Sequence, residues 1–218
     1  MRGFLVHTIQ NENFLVLPQK CLYWENQKTL LLSDLHLGKS GHFRKNGIGI
    51  PQNIFKEDMQ QLLSLIQYFK PKNILIIGDF FHSHANKEHD FFLRWKKGIA
   101  YVNFQLVLGN HDVLNEQWYR DAGISLYEEK LILNQFCFMH DADISALPGN
   151  SYTFCGHIHP AVKLSGAGKQ SLTLPCFYFS KYHAILPAFG NFTGTHIISP
   201  KKNDSVYIIA EKKVMKIM

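Results

Sequence analysis

The chain has no CxxC pair; its four cysteines, Cys21, Cys137, Cys155 and Cys176, are scattered singly. Each lies in an apolar stretch, which predicts small buried thiols in a reducing compartment and disfavours a zinc ribbon or a secreted disulfide scaffold. Long hydrophobic runs are also missing. The longest unbroken one is Val206–Ala210, far short of the roughly 20 residues that a membrane span needs. The N-terminal residues reach polar Gln10, Asn11 and Glu12 without a long apolar stretch, so no signal peptide is expected. The expectation is a cytoplasmic protein with no membrane partner. Charged residues are few, at 18%, but hydrophobic residues reach 46%, enough to bury a core and too many for a disordered chain. No internal repeat and no linker rich in Pro, Gly or Ser interrupts the sequence, so a single domain over residues 1–218 is expected.

What the chain has in excess is histidine, with a mild positive balance. Twelve histidines stand beside 23 Lys+Arg and 17 Asp+Glu, a formal charge of +6. Such a charge permits an acidic or phosphate-bearing partner and is a weak hint by itself. Part of it comes from Lys201, Lys202, Lys212, Lys213 and Lys216. No spacing constrains these lysines, and they read as solvated surface ahead of a nucleic-acid contact.

The first half alternates strand and helix. Short strands are expected at Phe4–Val6, Phe14–Leu17, Cys21–Glu25 and Thr29–Leu32. Phe55, Met59, Leu62, Ile66 and Phe69 recur at the helical period, which predicts a helix from Gln52 to Phe69, closed by Pro71. Strands at Asn73–Ile77 and Phe104–Leu108 alternate with shorter helices at His89–Lys97 and Asn115–Ala122. Beyond that the texture is mostly strand: Leu131–Met139, Tyr152–Cys155, Val162–Leu164, Leu172–Phe179, His183–Leu186 and Val206–Ala210. The pattern predicts one α/β domain whose strand-rich halves pack sheet on sheet with helices outside.

The apolar strands end in side chains that bind metals. Asp34 and His36, then Asp79, then Asn110 follow three strands of the first half; His140 and the pair His157/His159 follow two in the second. Sites in open α/β sheets form where loops leave the carboxyl ends of strands, so these ends can converge. In extended chain, the i, i+2 spacing of Asp34/His36 and of His157/His159 would put both side chains on one face, about 6–7 Å apart, within reach of one metal or of two neighbouring ones. The donors are oxygen and nitrogen, with no thiolate, and are too many for one ordinary transition-metal ion. They suit two ions about 3.5–4 Å apart with a carboxylate bridging. Asp79 is the expected bridge, because in chain order it lies between the Asp34/His36 pair and Asn110. Manganese is the favoured metal, with iron or zinc as alternatives.

Asp34-x-His36, Gly78-Asp79, Gly109-Asn110-His111-Asp112, His140 and Gly156-His157-x-His159 together resemble the signature of the calcineurin-like metallophosphoesterases. The motifs Gly38-Lys39-x-x-His42-Phe43-Arg44-Lys45, Gly78-Asp79-Phe80-Phe81-His82-Ser83, Leu174-Pro175-Cys176-Phe177-Tyr178 and Leu186-Pro187-Ala188-Phe189-Gly190 are similar to one branch, the bacterial DNA ligase-associated metallophosphoesterases. The similarity spans Leu31 to Thr195. It departs at His140-Asp141-Ala142-Asp143, where a proline is usual, and at Gly194-Thr195, where paired glycines are.

The resemblance implies a four-layer α/β/β/α sandwich of two mixed β-sheets, with seven ligands (Asp34, His36, Asp79, Asn110, His140, His157, His159) holding two divalent ions. It implies phosphoester hydrolysis by a hydroxide shared between the ions, on DNA in repair, with a DNA ligase and a helicase as possible partners. The alternatives are a phosphatase or pyrophosphatase acting on a small nucleotide or lipid-linked substrate, or a non-catalytic scaffold. His111 is expected to donate a proton to the leaving oxygen or stabilise the charge developing there. Asp112 is expected either to orient His111 or to cap a helix. Arg44 can clamp a phosphate and His82 can reach substrate, the alternative for each being a solvated loop.

Overall fold

The computed structural model describes residues 3–39, 53–81, 87–143, 147, 149, 151–166, 168, 170–191 and 193–218. Its first sheet runs in spatial order through β1 (Leu5–Ile9), β2 (Glu12–Leu17), β3 (Cys21–Trp24), β4 (Thr29–Ser33), β5 (Asn73–Ile77), β6 (Asn103–Val107) and β7 (Ile124–Tyr127). The strands up to β4 pair antiparallel, and β4 to β7 pair parallel. The second sheet holds β8 (Leu131–Leu133), β9 (Phe136–Phe138), β10 (Tyr152–Cys155), β11 (Pro160–Ser165), β12 (Ser171–Phe179), β13 (His183–Ile185) and β14 (His196–Ile197). β15 (Ser205–Ala210) and β16 (Lys213–Lys216) extend it along β12. In it β9, β10 and β13 are mutually parallel neighbours.

Alternation along the strands sorts the core into layers. On one face of the first sheet Leu30, Leu32, Ile74, Ile76, Phe104 and Leu106 pack against the described helices α1 (Asn53–Phe69), α2 (Lys87–Lys97) and α3 (Glu116–Asp121). The contacting face of α1 is the one its periodicity predicts: Phe55, Met59, Leu62 and Ile66 are buried, and Phe69 stacks on Tyr23 with centroids 4.6 Å apart. The intervening residues Leu31, Leu75, Ile77 and Val107 face the second sheet and meet Phe138, Phe154, Phe177 and Leu186. Central parallel strands buried on both faces read as apolar runs, which is why β4 and β5 are plain in the sequence, whereas Gln105 interrupts β6. Two mixed sheets packed together and flanked by helices make the expected architecture. All four cysteines are buried free thiols, as expected.

The differences lie at sheet edges and turns. Leu131–Met139 is a hairpin and not one strand: Asn134 takes φ 55° between β8 and β9. β7, β14 and β16 were not expected. Each is short, and β14 and β16 are almost wholly exposed, so their sequences carry little alternation and the neighbouring strand defines them. The tail lysines Lys201, Lys202, Lys212, Lys213 and Lys216 are all exposed. Among the described residues no helix is long and apolar enough to cross a membrane.

Between the sheets, Phe136 sits at no measurable exposure, with the Phe14, Trp24 and Phe154 ring centroids 5.4, 5.1 and 5.6 Å away. No partner can move in without tearing a strand from its ladder. Phe136→Ala is therefore expected to lower stability by about 3–5 kcal/mol, read from the denaturant midpoint. An unchanged midpoint would contradict this packing.

Candidate metal centre

The parallel strands deliver their carboxyl ends to one place. Ser33, Ile77 and Val107 lie in register at the ends of β4, β5 and β6. Phe138 and Phe154 are in register near the ends of β9 and β10. Asp34 and His36 leave β4, Asp79 leaves β5, Asn110 and His111 follow β6, His140 follows β9, and His157 and His159 follow β10. All converge at the edge shared by the two sheets.

The i, i+2 pairs are not in extended chain. Asp34, His36, Asp79, His157 and His159 have φ of 53°, 48°, 48°, 65° and 50°. The left-handed region costs an L-residue roughly 1–2 kcal/mol; such residues cluster at functional sites, where the surrounding structure over-determines them. Asp34 and His36 stay together, but the second turn lets His157 and His159 reach different targets. His159 joins Asp34 and His36 in one cluster of donor atoms, whereas His157 joins Asp79 and His140 in a second.

Distances within the clusters fit shared ions. His159 Nε2 lies 3.4 Å from both His36 Nε2 and Asp34 Oδ1. In the second cluster His140 Nε2 lies 3.1 Å from His157 Nδ1, 3.1 Å from Asn110 Oδ1 and 3.4 Å from Asp79 Oδ1. Donors about 2.1 Å from one ion, at octahedral to tetrahedral angles, stand about 3.0–3.4 Å apart. Asp79 faces both clusters, because its Oδ2 is 3.8 Å from His36 Nε2. The donor set is carboxylate, imidazole and amide, a hard to borderline set suited to divalent first-row ions.

Hydrogen bonds set the free lone pairs. His159 Nδ1 is 3.0 Å from the Gly194 carbonyl. A carbonyl only accepts, so Nδ1 carries the proton and Nε2 is left with its lone pair toward the cluster. His140 Nδ1 faces the Ile77 carbonyl at 3.4 Å and Asp34 Oδ1 at 3.7 Å, which likewise frees Nε2. His157 presents Nδ1 to the cluster while its Nε2 lies 3.9 Å from Asp141 Oδ2.

The two carboxylates are buried, and backbone amides support them. Asp34 accepts from His157 N at 3.1 Å and Asp79 from His111 N at 2.9 Å. The Asp34 turn is stitched to both sheets by Asp34 N to Gly78 O and Phe189 N to Ser33 O, at 3.1 and 2.8 Å. Two motif glycines make room for ligands from elsewhere. A methyl group at Gly78, whose φ is 73°, would fall on the His140 ring, and one at Gly156 would fall on Asp34 Oδ2.

Asp112 differs from both of its expected roles. Its Oδ1 accepts from Phe80 N and Phe81 N at 2.9 and 3.0 Å, and its Oδ2 from Gly109 N at 2.9 Å. Burial pushes its carboxyl up to about 7, opposed by those same amides. Asp112 therefore ties the loop after β6 to the loop after β5, where it was expected to hold the His111 imidazole or cap a helix. The N-cap of α3 is Asn115, which accepts from Gln117 N. The His111 ring stands edge-on to that of His36, with centroids 5.6 Å apart, so it borders the first cluster. Arg44 and His82 lie outside the described residues. Sequence reasoning missed the Gly194 carbonyl and Asp141, because a backbone acceptor has no side-chain signature and an exposed aspartate has no distinctive one.

The sequence model of the family described as calcineurin-like phosphoesterase matches residues 27–199. A search of curated proteins returns no match. Among solved structures the chain is similar to the nuclease MPE of Pseudomonas putida, with a TM-score of 0.82 and 24% identity over 98% of this chain and 100% of that one. A looser likeness, TM-score 0.45 and 11% identity, covers 87% of this chain and 97% of the phosphoesterase Yfce of E. coli.

Gly156→Ala tests the interlock. The added methyl must displace the Asp34 carboxylate, so metal bound per chain is expected to fall by at least one ion while the far-ultraviolet spectrum is kept. Full metal content in the variant would contradict the steric reading.

Proposed function

The chain belongs to the calcineurin-like phosphoesterases, metal-dependent hydrolases of phosphoric esters, and from that premise we propose that its substrate is a phosphodiester, cleaved as a nuclease cleaves DNA. The observation that carries this reading is the pair of donor clusters with Asp79 facing both, opening on one side through exposed His157 and Asn110. An open rim suits a polymer passing over the site. The likeness to a nuclease along the whole chain supports the same choice.

Asp34, His36 and His159 would hold one ion and His140, His157 and Asn110 the other, with Asp79 bridging. Two divalent ions there supply charge against the phosphate and acidify a water for attack on phosphorus. Manganese is the proposed metal, with iron or zinc as alternatives.

The chain's own residues do the rest. The His111 amide is fixed to Asp79 Oδ1, which stands its imidazole at the rim beside His36. From there it gives a proton to the leaving oxygen. Asp112 keeps that loop in place through the Gly109, Phe80 and Phe81 amides. Arg44 and His82 are proposed as substrate contacts. The setting proposed is cytoplasmic DNA repair beside a DNA ligase and a helicase, on the branch motifs read in the sequence.

The second reading, a phosphatase or pyrophosphatase for a small substrate, uses the same ligands, because two-metal sites of this kind do not themselves choose a substrate. A panel of single-stranded DNA, duplex DNA, an aryl diester and an aryl monoester separates the two. Manganese-dependent cleavage of DNA and of the diester is expected. Turnover of the monoester alone would overturn the nuclease reading.

His111→Ala is expected to retain both metals and lose about 10²–10⁴-fold in turnover, the usual contribution of general acid catalysis. Loss of metal in that variant would make His111 a ligand instead.

A further inference from the structure

A groove of about 60 Å³ has His159 of the first donor cluster in its lining, together with Asn191, Thr193 and Thr195. Lys20 is the other basic side chain of the lining, and Pro160 and Pro187 are among its apolar residues. The groove holds several times the roughly 10–15 Å³ that one water needs, which suits a phosphate and its ester oxygens.

Lys20 is the cation of the lining, and its place is built. It sits in the turn between β2 and β3 at φ 61°. Its Nζ donates to Asn191 Oδ1 at 3.4 Å. Asn191 is itself fixed by Asp58 of α1, whose Oδ1 accepts from Asn191 Nδ2 at 2.7 Å and from Asn191 N at 3.3 Å. The lysine thus makes one long hydrogen bond and no ion pair among the described residues, leaving two ammonium protons to donate. Burial lowers its pKa, and Asp58, whose own carboxyl burial pushes up to about 7, opposes that shift only in part. Thr195 also lines the groove, and its hydroxyl is a second donor there.

We propose that this groove is a subsite for the phosphate next to the scissile one, with Lys20 as the residue that recognises it. The inference rests on the phosphodiesterase reading and deepens it. On this reading, a strand whose reacting phosphate lies between the clusters would run past His159, which both the cluster and the groove share. A substrate with one phosphate leaves the groove empty, so Lys20 selects for a nucleic-acid strand over a small ester. The contact is to the backbone and carries no base preference.

The test compares wild type with Lys20→Gln, which keeps a polar but shorter side chain and loses the charge, and with Lys20→Arg, which keeps the charge. Substrates are a short single-stranded DNA oligonucleotide, the same oligonucleotide with one flanking phosphate at a time replaced by a neutral methylphosphonate, and an aryl diester. Lys20→Gln is expected to raise KM for the oligonucleotide about tenfold beyond any change on the aryl diester, the worth of one charge-assisted contact. Lys20→Arg should recover most of that loss. In wild type one particular methylphosphonate should reproduce the loss, and in Lys20→Gln it should add nothing. Equal effects of Lys20→Gln on both substrates, or losses that add fully with every methylphosphonate, would overturn the subsite while leaving the nuclease reading intact. Wild-type protein that hydrolyses the aryl diester and leaves the oligonucleotide whole would overturn the nuclease reading, and the subsite with it.

Discussion

Two carboxylates, Asp34 and Asp79, are buried where adjacent parallel strands end, and the surrounding structure answers the cost of keeping them there. An unpaired ion in a protein interior is penalised by several kcal/mol. Part of the compensation is backbone: one amide from the His157 turn and one from the His111 loop donate to these oxygens. Part is imidazole, with His36, His140 and His159 facing them from both sheets. So many oxygen and nitrogen donors facing one another form a set that divalent cations would suit. The site is thus an electrostatic demand made by the fold as much as a set of residues placed on it.

That demand also explains why two sheets are needed. One parallel sheet can aim Asp34, Asp79 and Asn110 at a point, but it aims them from one side. The ends of β9 and β10 bring His140, His157 and His159 from the other, and the aromatic layer of Phe14, Phe136, Phe138 and Phe154 holds the two edges together. Ties such as Phe189 N to Ser33 O make the alignment a matter of hydrogen-bond length and not only of packing. Interiors packed this closely transmit small displacements, so a change between the sheets reaches the ligands.

Much of this was legible in the sequence, and the limits have physical causes. The strands β4 and β5 announce themselves as apolar runs because both faces are buried, β6 is broken by Gln105, and the donor residues follow all three. What failed was local geometry. Extended spacing put His157 and His159 on one face, whereas their left-handed backbones send them to separate clusters. Nothing in Gly-His-Ile-His signals that conformation, since tertiary contacts impose it against the residues' own preference. Asp112 was misread for a related reason. Proximity in sequence suggested His111 as its partner, but a buried carboxylate takes the amides that surround it, and those came from Phe80 and Phe81, about 30 positions away in the chain. Edge strands such as β16 escaped because a single buried residue, Val214, makes no pattern.

The five left-handed donor residues bear on stability as well. At roughly 1–2 kcal/mol each, their strain is comparable with the whole net stability of a domain, about 5–15 kcal/mol. Such conformations persist only where neighbours leave no alternative, and the neighbours here are other ligands and their supports. Gly156 makes room for Asp34, Gly78 makes room for His140, and the Asp34 and His36 amides bond to the carbonyls of Gly78 and Asp79. The strain is therefore distributed over an interlocked set in which no turn can relax without moving a second one. Ions bound between the clusters would draw the same side chains together, so the strained backbone and the cations favour one arrangement. The interlocked turns hold the donors at separations that suit shared ions.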